Sequence, residues 1–173
     1  MKTSTNSVRN PSSSIMSRLD ELAEISEQAN GLTRRYLTQE HRSANNLVGT
    51  WMVAAGMLVR EDAVGNVIGR YEGQEPGLPA IMVGSHLDTV VNAGRYDGIL
   101  GVVTGIDCVR SLEHRGLRLP FAVEVIGFAD EEGARFQSTY LGSRAVAGTF
   151  DTKLLSRRDQ EGTSMADAMS DFG

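Results

Sequence analysis

Apolar positions along the chain follow two patterns, one repeating every three to four residues and one running as short unbroken stretches. The first predicts helices. Leu19, Leu22, Ile25 and Ala29 share one helical face between Ser17, an N-cap type, and Gly31, a stop. After Thr38, a second cap type, Ala44, Leu47, Val48, Trp51, Met52 and Ala55 keep the 3.6-residue period until Gly56. Ile99, Val102, Val103, Ile106, Val109 and Leu112 predict a third helix over 98–115. Shorter helices are predicted near 139–147 and 164–171. His41 and His114 fall in helical segments without partner spacing and read as surface or cap residues.

The unbroken stretches predict strands. Residues 57–63 and 66–72 read as a hairpin about Gly65-Asn66. Residues 80–85 and 120–129 read as buried strands, the second interrupted only by Glu124. Strand 80–85, helix 98–115 and strand 120–129 compose a βαβ unit, which predicts parallel neighbours joined by a right-handed crossover. Ile81, Val83, Val125 and Phe128 alternate without a polar face, so the sheet centre is expected to be buried on both sides. No internal repeat is present.

Ligands of such sheets bind beyond the carboxyl ends of the strands. At those ends stand His86 and the run Asp130-Glu131-Glu132, with Asp88 and Asp97 in the turn-rich segment after the first strand. His86 and Asp97 are separated by 97 − 86 = 11 residues, mostly polar or glycine, so both can turn back over the strand end. Asp88 is placed to hold the imidazole by its second nitrogen and so fix the tautomer a metal requires. Glu131 and Glu132 are adjacent and can point different ways, one ligating while the other serves as general base. Imidazole and carboxylate without thiolate suit Zn²⁺, Mn²⁺ or Co²⁺ better than Mg²⁺ or Ca²⁺. Each element also has a plainer alternative: a hydrogen-bonded loop histidine, a solvated acidic turn, and a helix start at Asp97-Gly98. The glycines Gly94, Gly98, Gly101 and Gly105 make no phosphate-binding pattern.

Composition narrows the partners. With 173 residues, 40% apolar and 23% charged, the chain has material for one domain with a core. A net charge of −5 gives no basic footprint, so nucleic acid is not an expected partner. Cys108 is the lone cysteine, which excludes an internal disulfide and fits a reducing, cytoplasmic setting. No apolar run nears the roughly 18 residues of a membrane span. Residues 1–16, rich in Ser, Thr and Asn, are expected to form a disordered tail rather than a secretory signal.

The stretches "GSHLDTVVNAGRYDGILGV", "EVIGFADEEGARF" and "LGSRAVAG" resemble the zinc-dependent amidohydrolases that cleave N-carbamoyl-L-amino acids and allantoate. These lie within the wider aminoacylase and carboxypeptidase superfamily of two-metal hydrolases. "LTRRYLTQEHRSANNLVGTWMVAAGMLVREDAVGNVIGRYEG" is similar to the same family, so the resemblance runs from about Ser17 to the C-terminus. It implies an α/β catalytic domain of three αβα layers with a mixed, largely parallel sheet, of which 17–173 would be the N-terminal part. It implies two divalent ions, zinc or manganese, with His86 on one, Asp97 bridging both and Glu132 on the second. Glu131 would be the general base and Asp88 the partner of His86. The implied reaction is hydrolysis of a linear C–N bond in a small ureido acid, allantoate first and an N-carbamoyl-L-amino acid as the alternative. The implied full-length enzyme is a homodimer.

Members of that family carry two further metal-binding histidines and an inserted lid domain. The sequence ends in "GTSMADAMSDFG" before any of these, so it is expected to be part of a longer enzyme. As it stands it is expected to hold metal weakly and to be inactive. A metal- or partner-binding fragment without activity is the third expectation.

Overall fold

Among the described residues four strands form one sheet. Strands β1 (Leu58–Glu61) and β2 (Val67–Tyr71) form the antiparallel hairpin, with Glu61 opposite Val67. Asp62 closes its loop: Oδ1 accepts the main-chain N–H of Val64 at 3.1 Å and of Asn66 at 3.0 Å. Gly65 takes φ +88°, which glycine adopts without steric cost. Strands β3 (Ala80–His86) and β4 (Ala122–Phe128) are adjacent and parallel, with Ala80 opposite Ala122 and His86 opposite Phe128. β2 pairs antiparallel with β4, so the sheet is mixed and runs β1-β2-β4-β3. This computed structural model describes residues 11–173.

The helices are α1 (Pro11–Ala23), α2 (Gln39–Ala54), α3 (Ile99–His114), α4 (Leu141–Val146) and α5 (Met165–Phe172). Thr38 caps α2, its hydroxyl accepting the His41 N–H. α3 is the crossover between β3 and β4 and packs on both, while α2 packs on β1 and β2. Leu19 and Leu22 of α1, Val48 and Met52 of α2, and Val102, Val103 and Ile106 of α3 join Val67 and Val125 of the sheet in one buried cluster. A smaller cluster of Tyr36, Phe136, Leu141 and Met165 gathers about Ala129, just past the end of β4. Among the described residues no helix is long and apolar enough to cross a membrane.

Four expectations need correction. Strand β3 is not buried: Ile81 is 51% exposed, Met82 59% and Val83 42%. It is the last strand of the sheet, with β4 on one side only, whereas Val125 of the interior strand β4 is buried as expected and Phe128 is half-buried. Helix α1 begins at Pro11, so Ser17 lies inside it and donates its hydroxyl to the Ser13 carbonyl rather than capping. It stops at Ala23, leaving Ile25 and Ala29 in the following loop. Of the expected tail, 11–16 form the first turns of α1, and 1–10 lie outside the described residues. His41 is wholly buried rather than superficial; its Nδ1 accepts the Leu37 N–H, and its ring stacks on Phe172 at 5.0 Å. His114, by contrast, is exposed.

Candidate metal centre

Because β3 and β4 are parallel and in register, the residues that follow His86 and Phe128 leave the sheet side by side. The Leu87 N–H continues the ladder to the Phe128 carbonyl at 3.2 Å. Asp88 comes next, 1% exposed, and its carboxylate reaches across to the other strand end. Oδ1 accepts the Glu131 N–H and Oδ2 the Glu132 N–H, each at 3.1 Å. That clasp fixes the backbone of the acidic pair against the first strand. The expected bond from Asp88 to His86 is also present, in a different form. The imidazole Nδ1 meets the main-chain oxygen of Asp88 at 2.9 Å, while Oδ1 of the carboxylate stays 3.8 Å away. A carbonyl oxygen only accepts, so Nδ1 carries the proton and Nε2 presents its lone pair.

Around Nε2 stand acids. Asp97 Oδ1 and Glu131 Oε2 each lie 3.8 Å from it. Ligand atoms of His86, Glu131 and Glu132 all lie within 4.8 Å of one another. Two ligands that each bind an ion at about 2.1 Å sit about 3–4 Å apart, so this group needs little closure to hold one. Asp97 is beside the ring but outside that group, with its side chain 60% exposed. Thus His86, Glu131 and Glu132 are brought together, Asp97 flanks them, and Asp88 lies beneath as their common support.

Gly98 makes the close packing of the ring feasible. It caps α3 at φ +68°, and a Cβ there would stand 2.4 Å from Nε2 of His86.

The electrostatics also fit a cation. Burial raises the carboxyl of Asp88, against the opposing pull of the Glu131 N–H and of His86. Burial likewise raises Glu132; His86 opposes this, and the Glu131, Asp97 and Asp88 carboxylates add to it. Asp130 is 0% exposed at φ +52°, and neither carboxyl oxygen has a well-formed hydrogen bond. Burial first, then the Asp88 charge, push it up to about 8, against weaker pulls from the Gly133 N–H and Arg135. Carboxylates crowded around one imidazole are what a divalent ion would relieve, so the donor set and its surroundings fit a metal. The burial of Asp130 and the packing of Gly98 against His86 are what the sequence did not show. Asp130 sits in the quoted acidic run, but nothing in the pattern shows that it is buried without a partner.

Residues 66–160 match the profile of peptidase family M28. The chain belongs to that family. Its relatives include an N-carbamoyl-L-amino acid amidohydrolase of Geobacillus stearothermophilus, 47% identical over 157 residues, which cover 90% of this chain and 38% of that protein. An allantoate deiminase of Arabidopsis thaliana is 41% identical over 158 residues, covering 90% of this chain and 30% of that protein. Among solved structures, a hydantoinase/carbamoylase family amidase from Burkholderia ambifaria superposes with a TM-score of 0.87 at 34% identity, over 93% of this chain and 40% of that one. The match lies in the N-terminal part of these proteins, and the chain spans less than two fifths of the length of these curated relatives.

Proposed function

We propose that the intact protein is a metal-dependent amidohydrolase that cleaves a linear C–N bond of a ureido acid. The observation that carries this is the convergence of His86, Glu131 and Glu132 with Nε2 left free by the Nδ1 bond to Asp88. His86, Asp97 and Glu132 would hold the divalent ions, zinc or manganese. Bound there, the ions would polarise the substrate carbonyl and acidify water. Glu131 takes the proton of the attacking water at its carboxylate and returns it to the departing nitrogen. Asp88 keeps both glutamates in place through their main-chain N–H groups. The products would include ammonia and carbon dioxide.

Two ureido substrates are in question. Allantoate would place the enzyme in purine nitrogen salvage. The second reading, an N-carbamoyl-L-amino acid, is supported by the 47% identity to the amidohydrolase, as allantoate is by the 41% identity to the deiminase. A cytoplasmic setting is supported by the lone, free Cys108. A partner other than nucleic acid is supported by the net charge of −5. Homodimeric assembly at full length is supported by the resemblance alone. Ammonia release by the full-length gene product, assayed with allantoate and with N-carbamoyl-L-amino acids beside a Glu131→Gln control, tests the proposal. Metal-dependent release from one substrate class supports it; equal release by the control, or none from either, refutes it.

A further inference from the structure

Arg34 is among the largest side chains that are fully buried, at 0% exposure. A buried guanidinium is costly to desolvate, and hydrogen bonds to its N–H groups offset that cost. Its partners divide into two sets. Nη1 donates to the Leu22 and Ile25 carbonyls, both at 2.9 Å, at the end of α1. Nε donates at 2.9 Å to the carbonyl of Leu87, the residue before Asp88. The backbone of Arg34 grips the residue after Asp88: its N–H donates to Thr89 Oγ1 at 2.8 Å, and its carbonyl accepts the Thr89 N–H at 2.9 Å. One residue therefore holds both chain neighbours of Asp88. Asp88 in turn holds His86 through its main-chain oxygen and Glu131 and Glu132 through its carboxylate.

We propose that Arg34 is a positioning residue of the metal centre, setting Asp88 and through it the side chains that meet at Nε2 of His86. This rests on the reading of that centre as metal-binding. It goes beyond a role in ending α1, for which the bonds to Leu22 and Ile25 would suffice. Lysine cannot replace Arg34, because one ammonium cannot reproduce the planar fork that reaches Leu87 and α1 together.

The test compares Arg34→Lys and Thr89→Val with the parent, in the full-length protein. Thr89→Val leaves the guanidinium in place and removes the acceptor of the Arg34 main-chain N–H. Amide hydrogen exchange should quicken at Glu131 and Glu132 in both variants. Mn²⁺ affinity should fall by about tenfold, the lower end of what support beneath a ligand is worth. In the assay, kcat should fall while KM stays close to the parent value. Faster exchange confined to the end of α1, with Mn²⁺ affinity and kcat unchanged, would overturn the proposal. Should Arg34→Lys fail to fold, Thr89→Val decides by the same readouts. A parent that binds Mn²⁺ but hydrolyses no ureido acid would end the functional reading alone, and exchange and Mn²⁺ affinity would still judge Arg34.

Discussion

His86 donates its Nδ1 proton to the main-chain oxygen of Asp88 at 2.9 Å, although the two residues are only two apart in the chain. The tautomer is thus set by backbone, and the carboxylate is free for another task. In Asp88→Asn the imidazole should keep its Nδ1–H form, read by ¹⁵N chemical shifts. The clasp on Glu131 and Glu132 should suffer, because an amide offers an N–H where one of the two main-chain donors needs an acceptor. Metal affinity should drop on the order of 10–100-fold. A lost tautomer with unchanged affinity would reverse these assignments.

Gly98→Ala should damage the site more than its size suggests. The added methyl would stand 2.4 Å from Nε2, and φ +68° is strained for any L side chain. Backbone strain of about 1–3 kcal/mol is expected, seen as a lower midpoint in urea unfolding, together with loss of bound metal. An alanine variant that binds metal like the parent would show that the ring has room to move.

Glu131→Gln separates base from ligand. If Glu131 is the base, metal content should be kept and kcat should fall on the order of 10²–10⁴-fold. Loss of metal in this variant would exchange its role with that of Glu132.

His41 makes stability depend on pH. Burial first, then the charges of Arg34 and Arg42, lower its pKa from 6.5 to about 3. Between those values the unfolded chain binds a proton that the folded chain does not, so stability falls as pH drops through that window. From pH 7 to pH 5 the loss from this residue should be about 2 kcal/mol, at about 1.4 kcal/mol per unit below 6.5. In His41→Asn, whose side-chain oxygen can still accept the Leu37 N–H, urea unfolding at the two pH values should show a correspondingly smaller drop. An identical drop in parent and variant would place the acid sensitivity elsewhere.

The βαβ unit was legible because Ile99 to Leu112 keep the helical period between two continuous apolar runs, and a parallel sheet places its ligands at strand ends. That rule alone picked out His86 and the acids after Phe128. What it missed depends on neighbours distant in sequence. Ile81 and Val83 look like interior residues, yet exposure is decided by the position of β3 at the sheet edge. His41 is polar on a helix and is buried by Phe172 from the far end of the chain. The Asp88 clasp joins amides more than forty positions away, and Arg34 acts through carbonyls that every residue carries. Backbone partners leave no mark in composition or period.

Anomalous diffraction from crystals of the protein loaded with Zn²⁺ tests the central claim most directly. One peak should lie about 2.0–2.2 Å from Nε2 of His86 and a second at a like distance from a carboxylate oxygen of Glu132, with Nδ1 still bonded to the Asp88 carbonyl. Zinc bound elsewhere, with the space between His86, Glu131 and Glu132 empty, would contradict the metal centre and the amidohydrolase built on it.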